Sequence, residues 1–240
     1  MIKKIALLGF LIFSHIACAS NEQFIIAPSF TEHNRTNGYF MEPVIATTST
    51  DMAEALDKEW FYSKTMKRGL DIVNVNSCAS LIDLTSSGYF ATENSKQGMF
   101  DAKHTVCMTW QIMADFKASK QSFLGNIEFN KAFAGITPPQ LALVISRDDE
   151  RLLAKAASWE DMSQIKSVEK LNIEQAIFVD STGGRQKITL MAKGDYNGDG
   201  IEDVLFYIEN SVEGGSYSSV YAYVLTRLSS GVPFTLLKQW

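Results

Sequence analysis

Beyond about residue 158 the apolar residues of this 240-residue chain recur at every second position, the period of strands whose successive side chains point to opposite faces. Residues 175–180 and 185–194 flank Ser181-Thr182-Gly183-Gly184, a turn sequence that predicts a hairpin. Residues 203–209, 219–228 and 233–238 continue the run of strands. In the second of these, Val220, Ala222 and Val224 alternate with Tyr221, Tyr223 and Leu225.

Upstream the period is helical. Met52, Ala55, Leu56, Trp60 and Met66 recur at helical spacing after Asp51, a cap or first-turn acid. A second helix is expected over 74–86, with Cys78, Leu81, Ile82 and Thr85 on one face and Gly88 as its stop. A third is expected from about Phe100 to Lys120, with Val106, Trp110, Met113 and Lys117 on one face. Pro138-Pro139 breaks the chain. Leu141–Ile145 is a short strand or the start of a connector, and residues 148–158 read as helix. The expected class is α+β: an N-terminal helical part (51–137) joined to a C-terminal antiparallel β-sheet (138–240). Residues 20–50, rich in Thr, Ser, Asn and Pro, are expected to form an irregular arm across the folded body.

The first nineteen residues have the layout of a secretory signal peptide. Lys3 and Lys4 precede the apolar run Ile5–Ile16, and Ala17-Cys18-Ala19 gives a small-x-small cleavage pattern. The run is shorter than the roughly 20 residues that span a bilayer. The expected location is the periplasm. The alternatives are secretion, or a lipoprotein anchored in the outer membrane at Cys18, although His15 stands where that signal usually has Leu. Cleavage after Ala19 leaves Cys78 and Cys107. An even count in an oxidising compartment points to one disulfide, with two buried thiols as the alternative. Removing Lys3 and Lys4 leaves 22 − 2 = 20 basic against 27 acidic residues, a net charge of −7. That balance argues against nucleic-acid binding, which needs a basic surface.

The strongest chemical motif is Asp195-Tyr196-Asn197-Gly198-Asp199-Gly200-Ile201-Glu202-Asp203. Ca²⁺ is a hard cation that takes six to eight oxygen ligands. Side chains at the first, third and fifth positions point oxygens inward, Gly200 permits the sharp turn, and Asp203 closes the shell. Gly194-Asp195-Tyr196-Asn197-Gly198-Asp199-Gly200, followed by Val204-Leu205-Phe206, resembles the calcium loop of FG-GAP and related integrin-type β-propeller repeats. The resemblance implies Ca²⁺ ligation by Asp195, Asn197, Asp199 and Asp203, with Ile201 through its carbonyl. The motif occurs once, so no propeller is inferred, and Phe206 stands where an EF-hand needs Glu. A metal-free turn is the competing reading.

The segment 209–218, with Glu213 and Tyr217, is a candidate binding loop. Tyr207, Tyr221 and Tyr223 could line an exposed sheet face or serve as ordinary cross-strand pairs. Catalytic patterns are sparse: the mature chain has only His33 and His104, and Glu93 and Glu128 are guesses at a glycosidase pair. The favoured function is a periplasmic calcium-binding protein of non-catalytic binding or protective type, inhibitor- or immunity-like, with an envelope or secreted protein as partner. The alternatives are an envelope hydrolase acting on peptidoglycan or glycan, and a surface adhesion module.

Overall fold

The computed structural model describes residues 24–240. The expected signal peptide and Cys18 lie outside the described residues. The class is mixed α+β, as expected. In chain order the strands are β1 (Ser29–Phe30), β2 (Lys64–Arg68), β3 (Asp71–Val75), β4 (Phe90–Ala91), β5 (Ile165–Lys170), β6 (Gln175–Asp180), β7 (Gly184–Gly194), β8 (Asp203–Val212), β9 (Ser218–Thr226) and β10 (Thr235–Gln239). The helices are α1 (Ser49–Asp57), α2 (Cys78–Ser86), α3 (Gln97–Asp115), α4 (Lys131–Gly135), α5 (Arg147–Leu153) and α6 (Trp159–Ser163). Among the described residues no helix is long and apolar enough to cross a membrane.

β5 to β10 form an antiparallel meander in the order β10-β9-β8-β7-β6-β5. β1 pairs with the end of β7, Ser29 opposite Lys193, just past the point where β6 stops at Thr189. Both faces of this sheet are buried, and β8 explains how. Val204, Phe206 and Ile208 enter one apolar cluster while Leu205 and Tyr207 enter the other, so strict alternation serves two cores at once. A bulge at Met191 shifts the β7–β8 register between Leu190 and Ala192, and Met191 and Ala192 consequently face the same cluster.

One face is covered by α1, α2 and α3, whose Met52, Leu81, Cys107, Trp110 and Met113 share a cluster with Met191, Leu205, Tyr207 and Val224. The helical part and the sheet therefore bury a common core. The opposite face is covered by residues 124–165, where Phe129, Phe133 and Trp159 pack on Phe178 and Phe206. Tyr207 and Tyr223 are 3% and 2% exposed, so of the two readings these two follow ordinary packing within the sheet rather than an open binding face.

Several expected helices are shorter, each for a local reason. α1 starts on a capping box in which Thr48 accepts from the Asp51 amide and Asp51 returns the bond, but it ends at Asp57. Trp60 donates its amide to the Asn76 carbonyl, and Met66 points inward from β2. The apolar spacing continued there, but on a strand. β2 and β3 form a hairpin whose tight turn uses Gly69 at φ +64°, with β4 beside β2. This small sheet was not foreseen. α2 begins at Cys78, since residues 74 and 75 belong to β3. α3 stops at Asp115, so Lys117 lies in extended chain. The expected 148–158 helix is cut short as α5, which ends at Leu153, and α6 begins beyond it; a serine caps the start of each, Ser146 and Ser158. Leu141–Ile145 makes no strand and serves as connector.

Cys78 and Cys107 form a disulfide with Cα atoms 5.1 Å apart, joining the first residue of α2 to the middle of α3. The arm is irregular as expected, yet firmly held. Thr31 Oγ1 donates to the Leu190 carbonyl, and Trp110 Nε1 donates to the Asn34 carbonyl. Arg35, in the left-handed region at φ +64°, forks onto Glu209 at 3.3 and 2.5 Å and stacks on the Tyr207 ring. Gln186, 1% exposed, ties the second layer down: Oε1 accepts from the Leu143 amide and Trp159 Nε1, and Nε2 donates to the Leu141 carbonyl and Asn210 Oδ1.

Three outcomes are expected. Removing the disulfide by Cys78→Ala/Cys107→Ala, which opens a loop with a sequence separation of 29, should lower unfolding free energy by roughly 3–4 kcal/mol in urea titrations. Gln186→Leu should cost about 2–4 kcal/mol in the same assay, because four buried groups lose their partner. Burial pushes the Glu209 carboxyl up, but hydrogen bonding and charge from Arg35, with Lys187 beside it, bring it below its usual 4.5. A depressed folded pKa adds stability above the unfolded value and loses it as pH falls through the folded one. The wild-type advantage over Arg35→Ala should therefore be about 1 kcal/mol near neutrality, after discounting for partial exposure, and should shrink as pH drops below about 4.5.

Candidate metal loop

The loop Asp195–Glu202 joins β7 to β8 and departs from the last pair of the ladder, Gly194 opposite Asp203. Gly194 has a packing reason: a Cβ there would lie 3.0 Å from the Phe116 side chain. Gly198 and Gly200 take φ of +81° and +84°, conformations that favour residues without a side chain. Repeated left-handed turns curl the chain until its carboxylates converge on its own amides.

Asp195 is the centre of that curl. Its Oδ1 accepts from the Gly198 amide at 2.7 Å and its Oδ2 from the Gly200 amide at 2.8 Å. Asp199 Oδ1 accepts from the Ile201 amide, and Asp199 Oδ2 accepts from Asn197 Nδ2. Asn197 Oδ1 accepts from the Asp199 amide. Asp203 Oδ2 accepts from the Tyr196 amide at 3.0 Å, closing the loop across its base. Asp195 and Asp203 are buried, whereas Asn197 and Asp199 are exposed. Ile201 is half-buried and bridges Gln121.

Asp203 is the anomalous group. It is 0% exposed, and its Oδ1 is buried with no hydrogen-bond partner. The Thr226 hydroxyl lies close enough to lower its pKa, yet neither that hydroxyl nor Oδ1 completes a hydrogen bond. Burial dominates and pushes the Asp203 pKa up to about 6, against Thr226 and the Tyr196 amide; Asp199 and Asp195 add to the rise by charge repulsion. A buried carboxylate oxygen without a partner is costly, and a divalent ion would relieve it. The donor set fits a hard cation: carboxylates, one neutral amide oxygen and main-chain carbonyls. Among the described residues no three His, Cys, Asp or Glu side chains gather into a metal shell. The loop carboxylates are instead directed largely at loop amides.

Aromatic rings flank the loop. Tyr196 packs edge-on against Phe116 and against Trp240, with centroids 6.5 and 6.1 Å apart. Neither neighbour was singled out in the sequence, since both meet Tyr196 only through the fold.

The remaining candidates lie elsewhere. Glu213 and Tyr217 sit in the short β8–β9 turn, at the opposite end of β8 from Asp203. A ten-residue strand rises roughly 33 Å, so the structure does not bring them to the acidic loop. The expected ten-residue loop is itself shorter, because strand pairing extends to Ser211–Ser218. Tyr217 is 37% exposed and its hydroxyl meets Ser219 Oγ. His33 faces Glu174 at 3.4 Å. Burial lowers the His104 pKa, with Asp101 opposing. Glu93 forms a surface pair with Lys96, whereas Glu128 and Glu174 line an open groove of about 700 Å³ floored by Phe30, Phe129 and Leu190. The groove had no sequence signal: its walls come from residues far apart in the chain.

Comparison of the chain with known protein families, with curated proteins and with solved structures gave no match.

Proposed function

We propose that this chain is an exported calcium-binding protein of non-catalytic binding or protective type, inhibitor- or immunity-like, acting in the periplasm on an envelope or secreted protein. The observation that carries the calcium reading is the buried Asp203 carboxylate, with one oxygen unpartnered, at the base of a loop that also holds Asp195 and Asp199. The ligands would be Asp195, Asn197, Asp199 and Asp203, with the Ile201 carbonyl. Bound calcium supplies two positive charges where three carboxylates otherwise repel one another. Its role is structural: it binds only the folded loop and so stabilises the fold by mass action. The binding reading is supported by the disulfide-braced, two-core scaffold and by an acidic net charge, which fits a protein-recognition role better than a polyanionic ligand. Support for export is the leader-like arrangement of the first nineteen residues.

Thermal unfolding with calcium and with a chelator tests the metal assignment. Calcium at a hundredfold excess over Kd should add about 2.7 kcal/mol, roughly 5–10 °C in Tm for a chain of this size. Asp199→Ala, at an exposed position, should keep the fold and lose most of that rise. Terbium offers a direct readout, since Tyr196 and Trp240 stand beside the loop to sensitise its emission, and calcium should quench that emission by displacement. Equal melting under every condition, with no terbium signal, would remove the metal from the account.

A further inference from the structure

The metal loop is hydrogen-bonded along its length to the segment that follows α3. The Lys117 amide donates to the Asp195 carbonyl at 3.0 Å and the Asp195 amide returns the bond to the Lys117 carbonyl at 2.9 Å. The Gly200 carbonyl accepts from the amides of Lys120 and Gln121 at 2.7 and 3.1 Å, and the Glu202 amide donates to the Gln121 carbonyl at 2.8 Å. All five bonds use backbone groups of the loop, so they depend on its curl rather than on any one side chain. Side chains press the same seam from both ends. Phe116 sits against Gly194, and the aliphatic part of Lys120 lies over Gly200, 3.5 Å from where a Cβ would stand.

The seam passes the hold onward. Ser119, midway between the two groups of bonds, pairs with Ile26 through two backbone hydrogen bonds of 2.8 Å each. Ile26 leads into β1, which lies on β7 at Lys193 and Ala192, immediately before the loop. The arm from residue 26 to 30 thus rests on the strand that enters the loop and on the segment clamped to it. Residues 24 and 25 expose large apolar side chains, Phe24 at 76% and Ile25 at 67%, so burial contributes little to holding this end. Backbone pairing to Ser119 and β7 is what fixes it.

We propose that the loop is a calcium-dependent latch on the N-terminal arm: occupancy by calcium sets the curl of residues 195–203, the curl holds segment 117–121, and that segment holds Ile26. The inference rests on the calcium reading above and adds regulation to it. Without the ion, repulsion among Asp195, Asp199 and Asp203 opens the curl, the five seam bonds weaken together, and the arm loosens up to the Thr31–Leu190 contact. Beyond that point Arg35 and Glu209 retain their own grip. Ser29, Phe30 and Thr31 form one wall of the groove of about 700 Å³, so that wall moves with the arm.

Hydrogen exchange of the full chain, read by mass spectrometry in about 2 mM CaCl₂ and in chelator, tests this. In chelator, amides of Ile26, Lys117, Ser119, Lys120 and Gln121 should exchange at least tenfold faster than in calcium and well before those of the β8–β9 ladder, such as Ile208, whose slower exchange reports global unfolding. Ile26→Pro removes one of the two bonds to Ser119. It should free the arm in calcium while leaving terbium emission and the seam's calcium response intact. Calcium protection confined to residues 195–203 would overturn the latch and leave the calcium reading standing. Seam amides that exchange in chelator only as fast as the β8–β9 ladder would overturn it too, because the seam would then open only with the whole fold. No calcium effect on the loop amides, together with no terbium signal, would sink both readings.

Discussion

The structure depends on β8 being buried on both faces. Five consecutive apolar residues, Val204 to Ile208, alternate between two hydrophobic clusters, so one strand nucleates a core above the sheet and another beneath it. Each side chain so buried contributes on the order of 1.5–3 kcal/mol relative to exposure. A central strand of this kind cannot shift register by one residue without exchanging the two sets. Its partners β7 and β9 are bound by the same constraint, and their ladders run almost the full length of β8. Everything else attaches to this frame: α3 and the disulfide on one face, the short helices and Gln186 on the other.

The frame also explains where the acidic loop sits. β8 begins at Asp203, so the last loop carboxylate is carried into the sheet as its first residue and loses its water. The bulge at Met191 resets the phase of β7 before Gly194, and Phe116 closes over the glycine. The loop does not project freely into solvent but is fastened at its base. The electrostatic tension of the site follows from that position: Asp203 is buried because β8 is buried, while Asn197 and Asp199 remain open to solvent.

Much of the architecture was legible in the chain. Period-two alternation located the strands that became β6 to β10, and the even cysteine count pointed to Cys78–Cys107. Asp51 marked the start of α1 in its expected first-turn role, whereas the serine caps of α2, α5 and α6 were not picked out. Helix ends were less legible, because an apolar residue at helical spacing looks the same when it sits on a strand. Met66 met the helical pattern, yet it fills the core from β2. Lys117 met it too, but the chain there is recruited as an extended partner by Asp195. β5 escaped notice since its residues, Ile-Lys-Ser-Val-Glu-Lys, carry the charges of an edge strand and offer little apolar signal.

The sequence by itself determined the chemistry of the loop: which oxygens are available, and where glycine permits the turns. It also determined the mixed class, since a change of apolar period along a chain is a local property. Tertiary structure decided what those residues are worth. Only the packed sheet strips Asp203 of solvent, sets Trp240 beside Tyr196, and separates Glu213 and Tyr217 from the loop by the length of a strand. It likewise decided how the irregular arm is held on the body, through Arg35, Trp110 and Ser119. Burial and pairing of this kind arise between residues tens to more than a hundred positions apart, and no local pattern encodes which of them will meet.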